Sequence, residues 1–449
     1  MDPLDLPPTL LDLLATPVVT DSLYQYLSRS SLFQLARVSR QYRDVVFGTP
    51  KLFRYLDLSN CKGAYLPIIS RIDNGGYSWR AERMDENLTE DEFYGGPLRS
   101  VLNRCHRMTI LQDVQILILD GLGSVTHDLL NDILSADERY NVRLLSIRQC
   151  PNVNQSRLQQ LLNHICRPSR PAGTPRLQGL YFFTNPANDY AATSVVGATA
   201  GVTSTDGATL GLLPSDKGEC PVDNAHRWYS AAGRVISIGA STRTAWEETL
   251  QACEGIIAFD AVLCKAMHEH ASSSLHDASR DFLQNSKPGI SPLATIALGP
   301  DGCAGCGKAP EGTPTWDESD LSQFPLLAPP PRSGKLIDAL RPPMSLMNTP
   351  RRLIVSCKWC LVNRHCDSCH RWWCTDCYNP KQTNRLRDLE ALSNAGLDYV
   401  PTPNDLGGGS TSNGSGTKGD SIKVFNGLCV ENCLVGEMMA GAGSNGMWA

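Results

Sequence analysis

The sequence has no run of about eighteen uncharged apolar residues, the length that a membrane-spanning helix requires. Its most apolar stretch, residues 252–267, is interrupted by Glu254, Asp260 and Lys265. The first fourteen residues contain no lysine or arginine, so they lack the basic start of a secretory signal peptide. The net charge of −5 excludes a chain that binds polyanions over its whole surface. These absences predict a soluble protein of the cytoplasm, the nucleus or both.

Charged residues make up only 19% and aromatic residues only 7% of the 449 residues, whereas 41% are hydrophobic. This composition is too apolar for a disordered chain, and the length predicts about three domains at about 150 residues each. The 37 glycines and 29 prolines indicate that part of the length is connector. The stretches at 186–220, 325–350 and 407–419 are the clearest linkers.

The first sixty residues contain the patterns of three short helices. Pro17 follows Thr16 and suits the first turn of a helix, because that turn leaves its N–H groups unpaired. A second helix is predicted from the serines at 30 and 31, and a third from Arg40 to about Val46. Such short amphipathic helices cannot build much of a core alone. They need a partner or the following domain to cover their apolar faces.

The same residues carry apolar and aromatic positions in a fixed order that resembles the F-box motif, with Tyr42 and Phe53 at its aromatic positions. The resemblance implies binding to a Skp-type adaptor, which links to a cullin scaffold. The implied adaptor contacts are Pro17, Leu23, Leu27, Leu32, Leu35 and Val38. A small helical cap on a repeat domain is the alternative that the residues leave open.

Four later segments share one spacing, with apolar residues at their first, fourth and sixth positions. They begin at Phe53, Val114, Val142 and Leu177. This is the spacing of a leucine-rich-repeat strand, and amphipathic helices follow the second and third segments. Strand and helix units of this kind stack into a right-handed solenoid. Cys61 and Cys150, at the ninth positions, are predicted to be interior thiols and not metal ligands.

Ten of the seventeen cysteines lie between residues 303 and 433. Eight of them form Cys-x-x-Cys pairs: Cys303/Cys306, Cys357/Cys360, Cys366/Cys369 and Cys374/Cys377. Two intervening residues let a tight turn present both sulfurs to one tetrahedral ion, and two pairs close a four-thiolate zinc shell. Thiols stay reduced in the cytoplasm and nucleus, which disfavours disulfides. The eight cysteines therefore predict two structural zinc ions without a catalytic role.

Spacing alone leaves open which pairs share an ion. The ladder of pairs resembles the interleaved cross-brace of RING and FYVE domains, which implies one ion on Cys303, Cys306, Cys366 and Cys369. Whether His365, His370, Cys429 or Cys433 also bind metal stays open. A weaker pattern joins Cys264, His268 and His270, for which solvated histidines at a helix end are the alternative reading.

Together these patterns predict an α/β protein with long disordered linkers. Its parts are an F-box-like motif of three helices at 1–60, an irregular leucine-rich-repeat solenoid at 53–300 with a flexible insertion near 186–220, a zinc module at 301–385, and a low-complexity linker and tail at 386–449. No nucleophile–base pair, phosphate loop or pair of carboxylates stands out, so the chain is not predicted to be an enzyme.

The F-box resemblance implies a substrate-recognition subunit of a Skp-cullin-F-box ubiquitin ligase, which directs its substrate to proteasomal degradation. The adaptor would bind the helices, and the substrate would bind the repeats and the zinc module. One alternative is a RING-like ubiquitin ligase that acts through its own zinc module. Another is a zinc-dependent scaffold that binds phosphoinositide or nucleic acid through basic residues and tryptophans at 351–385.

Overall fold

A computed structural model describes the chain at residues 9–23, 26–27, 29–64, 90–135, 138–186, 228, 243–265, 291–298, 302–308, 314–316, 318–342, 352–378 and 422–437. The chain divides into two compact units. The first comprises 1–191, 237–262 and 321–342, and the second comprises 192–236, 263–320 and 343–449. The predicted insertion near 186–220 and most of the predicted 386–449 tail lie outside the described residues. None of the described helices is long and apolar enough to cross a membrane.

The first unit begins with short helices: α1 (Leu10–Ala15), α2 (Pro17–Leu23), α3 (Arg29–Leu35) and α4 (Arg40–Gly48). The three predicted helices are confirmed as α2, α3 and α4. Helix α1 was not predicted, although Thr9 and Asp12 form a reciprocal capping box at its start. Ser39 caps α4 by accepting a hydrogen bond from the Tyr42 N–H.

An aromatic cluster holds the last two of these helices to the turn that follows them. The ring of Phe53 lies 5.8 Å from the rings of both Phe33 and Phe47. Phe53 and Leu32 are each only 1% exposed, and Val46 is equally buried. The apolar faces of α3 and α4 therefore pack within the unit itself.

A parallel sheet of five strands follows, in chain order: β1 (Tyr55–Asp57), β2 (Ile116–Ile118), β3 (Leu144–Ser146), β4 (Gly179–Tyr181) and β5 (Ala258–Phe259). Each crossover contains a helix: α5 (Glu90–Arg107), α6 (His127–Leu134), α7 (Gln155–Ile165) and α8 (Arg243–Ala252). The four predicted strands and the two predicted helices between them are confirmed. The fourth positions of the predicted segments, Leu56, Leu117, Leu145 and Leu180, lie side by side in register.

Strand β5 continues this register, because Leu180 pairs with Phe259. The pairing reveals a fifth copy of the spacing, with Ile256, Phe259 and Ala261 at the apolar positions and Cys264 at the ninth position. This copy is hard to recognise in the sequence because Phe259 and Ala261 replace the usual leucines. The Phe259 ring belongs to an aromatic cluster that also contains Phe183 and the fully buried Trp246.

A buried ion pair crosses the middle of the sheet. The Arg148 side chain donates through both Nε and Nη2 to one Asp120 carboxylate oxygen, Oδ2, and the shorter contact is 2.7 Å. Asp120 also accepts hydrogen bonds from the Arg148 backbone N–H and from the Ser146 hydroxyl. The two charged side chains are only 3% and 5% exposed. Every contact in this network depends on the β2–β3 register.

The second unit is built from short hairpins around cysteines. Strands β6 (Ile296–Ala297) and β7 (Val355–Ser356) pair antiparallel, as do β8 (Val424–Phe425) and β9 (Leu428–Cys429). Its apolar core includes Leu298, Ile354, Leu361, Trp372, Trp373, Tyr378, Val424 and Phe425. Cysteines fill much of the remaining interior, and Cys303, Cys366, Cys374 and Cys429 belong to the same core.

Candidate metal centres

Cluster A consists of Cys303, Cys306, Cys374 and Cys377, whose Sγ atoms all lie within 4.8 Å of one another. The Sγ atoms of Cys306 and Cys374 are 3.7 Å apart. A tetrahedral ion with Zn–S bonds of about 2.3 Å separates its sulfurs by about 3.8 Å, whereas a disulfide needs about 2.05 Å. The geometry therefore fits a metal shell.

Glycines make the first turn of cluster A possible. Gly302 and Gly307 have φ angles of 79° and 66°, in the left-handed region that favours glycine. A Cβ atom on Gly305 would lie 3.0 Å from the Sγ of Cys377, inside the cluster. The sequence Gly302–Gly307 thus curls tightly enough to turn two sulfurs and two N–H groups inward.

Cluster B consists of Cys366, Cys369, Cys429 and Cys433, with all Sγ atoms again within 4.8 Å. The Sγ atoms of Cys369 and Cys429 are 3.6 Å apart. Cys429 ends the β8–β9 hairpin, whose turn residues Asn426 and Gly427 both have positive φ angles, and Cys433 follows four residues later. An Asn-Gly turn of this kind matches the twist of the two strands.

The two clusters are built alike. In each, the N–H of the first cysteine donates to the carbonyl five residues later, Lys308 in cluster A and Arg371 in cluster B. The first sulfur then accepts the N–H of the third cysteine, at 3.1 Å from Cys374 and 3.2 Å from Cys429. In each cluster the first and third cysteines are buried and the second is exposed. We call each of the turns 303–308 and 366–371 a knuckle.

The observed pairing corrects the pairing that the cross-brace resemblance implied. Cys303 and Cys306 meet Cys374 and Cys377, and do not meet Cys366 and Cys369. The clusters are nevertheless interleaved, because both ligands of the second knuckle precede Cys374 in the chain. The pairing differs from the expected one because Cys357 and Cys360 belong to neither cluster. Cys429 and Cys433 complete cluster B in their place.

A third group, cluster C, brings Cys357 and Cys360 to Cys264, with Sγ atoms within the same 4.8 Å limit. The structure thus brings together all eight predicted ligands, but in three groups. Cys264 is therefore grouped with cysteines, while His268 and His270, which share its pattern in the sequence, lie outside the described residues. The available signal for Cys429 and Cys433 was their spacing of one helical turn.

His365 and His370 belong to none of the clusters found among the described residues. His365 Nδ1 lies 3.3 Å from an Asp367 carboxylate oxygen. Burial lowers the pKa of His365, and the nearby Asp367 carboxylate opposes this shift. His370 adopts a φ of 58° at the position that Gly307 holds in the first knuckle. Its role in the chain is therefore that of a turn residue.

The backbone of each knuckle favours the thiolate form of the first cysteine, whereas burial raises the pKa of Cys369, Cys374, Cys377 and Cys433. Burial raises the pKa of Cys303, but N–H groups of Cys374, Cys306 and Gly305 outweigh it and lower the pKa to about 7. Cys366 is affected in the same way and also has a pKa of about 7. Four sulfur donors at tetrahedral spacing suit zinc better than the hard cations that prefer oxygen. Clusters A and B therefore fit two structural zinc ions, whose closed shells leave no position for substrate.

One basic side chain near the clusters, that of Arg364, supports the local structure. Arg364 is only 5% exposed, and its guanidinium donates to the carbonyl oxygens of Cys360 and Trp373. Its charge therefore braces the backbone beside two of the predicted ligands and does not lie on an open basic surface.

The predicted adaptor contacts differ in exposure. Val38 is 69% exposed and Leu23 is 38% exposed, while Leu27 and Leu35 are half-buried. Leu32 is buried within the helical unit, and nothing is described for the Pro17 side chain.

No family model, curated protein or solved structure matches this chain.

Proposed function

We propose that the protein is the substrate-recognition subunit of a Skp-cullin-F-box ubiquitin ligase. The observation that carries the proposal is the exposure of large apolar side chains on helix α2 and in the turns after α2 and α3. Val18, Tyr26 and Val38 are 76%, 78% and 69% exposed, and Leu23 is 38% exposed. Exposed apolar side chains mark a protein interface when they form one contiguous patch, and the proposal is that these four do so on the surface that meets the adaptor.

The packing of the helices supports this reading. Because Leu32, Val46 and Phe53 already form an internal core, the helices do not need the exposed residues for their own stability. The apolar residues left outside are thus available for a partner. These helices are also the segment that resembles the F-box.

The parallel sheet supports a role as a receptor. Its strands repeat one spacing in register and alternate with helices, as in a leucine-rich-repeat solenoid, a fold that offers extended binding surfaces. Such a protein performs no bond chemistry itself. It raises the effective concentration of substrate lysines near the conjugating enzyme.

The test is recovery of the tagged full-length protein from cells, with immunoblotting for a Skp-type adaptor and a cullin. Val38→Asp should lower adaptor recovery about tenfold or more, because a charge would replace an apolar contact worth about 1.5 kcal/mol or more. Val362→Asp is the matched control, since Val362 is 46% exposed but lies in the second unit. Absence of the adaptor from the wild-type sample, or equal recovery with Val38→Asp, would refute the proposal.

The interleaving of clusters A and B favours a second candidate, a RING-like ubiquitin ligase that acts through its own zinc module. In this case the purified full-length protein would build ubiquitin chains with a conjugating enzyme and no cullin. Cys366→Ser would abolish that activity, whereas Val38→Asp would leave it unchanged. The two variants therefore separate the two candidates.

A further inference from the structure

Three cysteines outside clusters A and B converge in the second unit. Cys264 and Cys357 are 1% and 2% exposed, Cys360 is partly exposed, and their Sγ atoms lie within 4.8 Å of one another. Cys264 is separated from the other two by more than ninety residues of chain. Convergence of this kind across a long sequence distance requires supporting structure.

That structure is a set of short hydrogen bonds. The Cys264 N–H donates to the Pro292 carbonyl at 2.7 Å, and Leu263 forms a bridge with Leu293. The Thr295 N–H then donates to the Ser356 carbonyl, next to Cys357, at 3.1 Å. Residues 291–298 thus lie between the two parts of cluster C and align them.

The backbone contacts of cluster C repeat those of clusters A and B. The Cys357 N–H donates to the Cys264 Sγ at 3.3 Å, as the N–H of the third cysteine does to the first sulfur in each knuckle cluster. The Cys360 N–H donates to the Cys357 Sγ at 3.4 Å, and the corresponding distance from Cys369 to Cys366 is 3.5 Å. Backbone N–H donors thus contact sulfur atoms in the same way in all three clusters.

We propose that cluster C binds a third metal ion of the zinc class through the thiolates of Cys264, Cys357 and Cys360. The three Sγ atoms lie at the same mutual spacing as those of clusters A and B, and a bound cation would hold them as thiolates. Three sulfur donors select a borderline-soft ion over magnesium or calcium. A disulfide would join only two of the three sulfurs and would not account for the position of the third. Disulfides are also rare in a reducing compartment. The inference is independent of the proposed ligase role.

The experiment is metal counting on the full-length protein, purified with reductant and without chelator, by native mass spectrometry and elemental analysis. We expect three zinc ions per chain. Cys264→Ser should leave two. The matched control is Cys150→Ser, because Cys150 occupies the same ninth position of the repeat spacing and its S–H donates to the Leu119 carbonyl oxygen outside any cluster. This control should keep three.

Further variants keep the test decisive if Cys264→Ser does not fold. Cys360→His, at the partly exposed position, replaces one zinc ligand by another and should retain the third ion, whereas Cys360→Ser should lose it. Substitution with cobalt adds a second readout. The thiolate-to-cobalt charge-transfer absorption of Cys360→Ser should be lower than that of the wild type by the part that the cluster C thiolates contribute.

Three results would overturn the proposal. The first is two zinc ions in the wild-type protein. The second is an unchanged ion count in both serine variants, Cys264→Ser and Cys360→Ser. The third is a disulfide between Cys264 and either of the other two cysteines, found by peptide mapping after alkylation without reduction.

Discussion

Replacing Asp120 by asparagine should open the middle of the parallel sheet. The carboxylate accepts bonds from Ser146 and from three nitrogens of Arg148, and both charged side chains are at most 5% exposed. Asparagine has nearly the same shape but carries no charge, so the Arg148 guanidinium would remain buried without a counterion. Breaking a buried ion pair in this way costs about 3–5 kcal/mol.

Hydrogen exchange followed by mass spectrometry measures this cost locally, at peptides that contain β2 and β3. Since about 1.4 kcal/mol corresponds to a tenfold change, exchange there should accelerate about 150-fold to 4,000-fold. Asp132→Asn is the matched control, because the Asp132–Arg99 pair is 3.3 Å apart and about one-third exposed. Its loss should cost less than about 1 kcal/mol and accelerate exchange about fivefold or less.

A double variant, Asp120→Leu with Arg148→Met, should restore much of the protection, because an apolar pair leaves no buried charge. Equal exchange in Asp120→Asn and Asp132→Asn would refute the reasoning. It would mean that the pair is hydrated and that the β2–β3 register does not bury it.

The remaining predictions concern the metal clusters. Cys303→Ser with Cys374→Ser should lose one ion, because both residues belong to cluster A, whereas Cys303→Ser with Cys366→Ser should lose two; native mass spectrometry distinguishes these results, and equal losses would contradict the observed pairing. Replacing His370 by glycine should raise stability by about 0.5 kcal/mol, since the left-handed backbone costs a non-glycine residue about 1–2 kcal/mol and glycine loses about 0.5–1 kcal/mol more entropy on folding. Gly307→Ala should lower stability, and the thermal unfolding temperature measures the effect of each variant. If His370→Gly loses a metal ion, His370 is a ligand and not only a turn residue. Removal of metal by a strong chelator should deprotect peptides around Trp372 in hydrogen exchange and leave β2–β4 protected, because the second unit depends on its thiolate shells; unchanged protection around Trp372 would show that its apolar core suffices.

Local patterns predicted the elements that obey local rules. The segments starting at Val114, Val142 and Leu177 each contain the strand that their spacing indicates, because those positions are core positions in register. Helix α5 was missed, since Gly95, Gly96 and Pro97 interrupt a helical pattern that tertiary packing nevertheless stabilises.

The zinc ligands show where sequence reasoning stops. Cys-x-x-Cys spacing identifies a knuckle, because both sulfurs come from one turn. It carries no information on which distant pair completes the shell, since that choice depends on hairpins such as β8–β9 and on residues as remote as Cys264. The wrong pairing came from the assumption that all four Cys-x-x-Cys pairs belong to one cross-brace.

The interleaving of clusters A and B sets the order in which a newly made chain can acquire metal. Synthesis completes cluster A as soon as Cys377 leaves the ribosome, at a time when Cys366 and Cys369 still lack their partners. Those two thiols wait until Cys429 and Cys433 have been translated. A premature stop codon between these points would release a chain with one loaded cluster and one half-built knuckle, open to oxidation and to capture of stray metal.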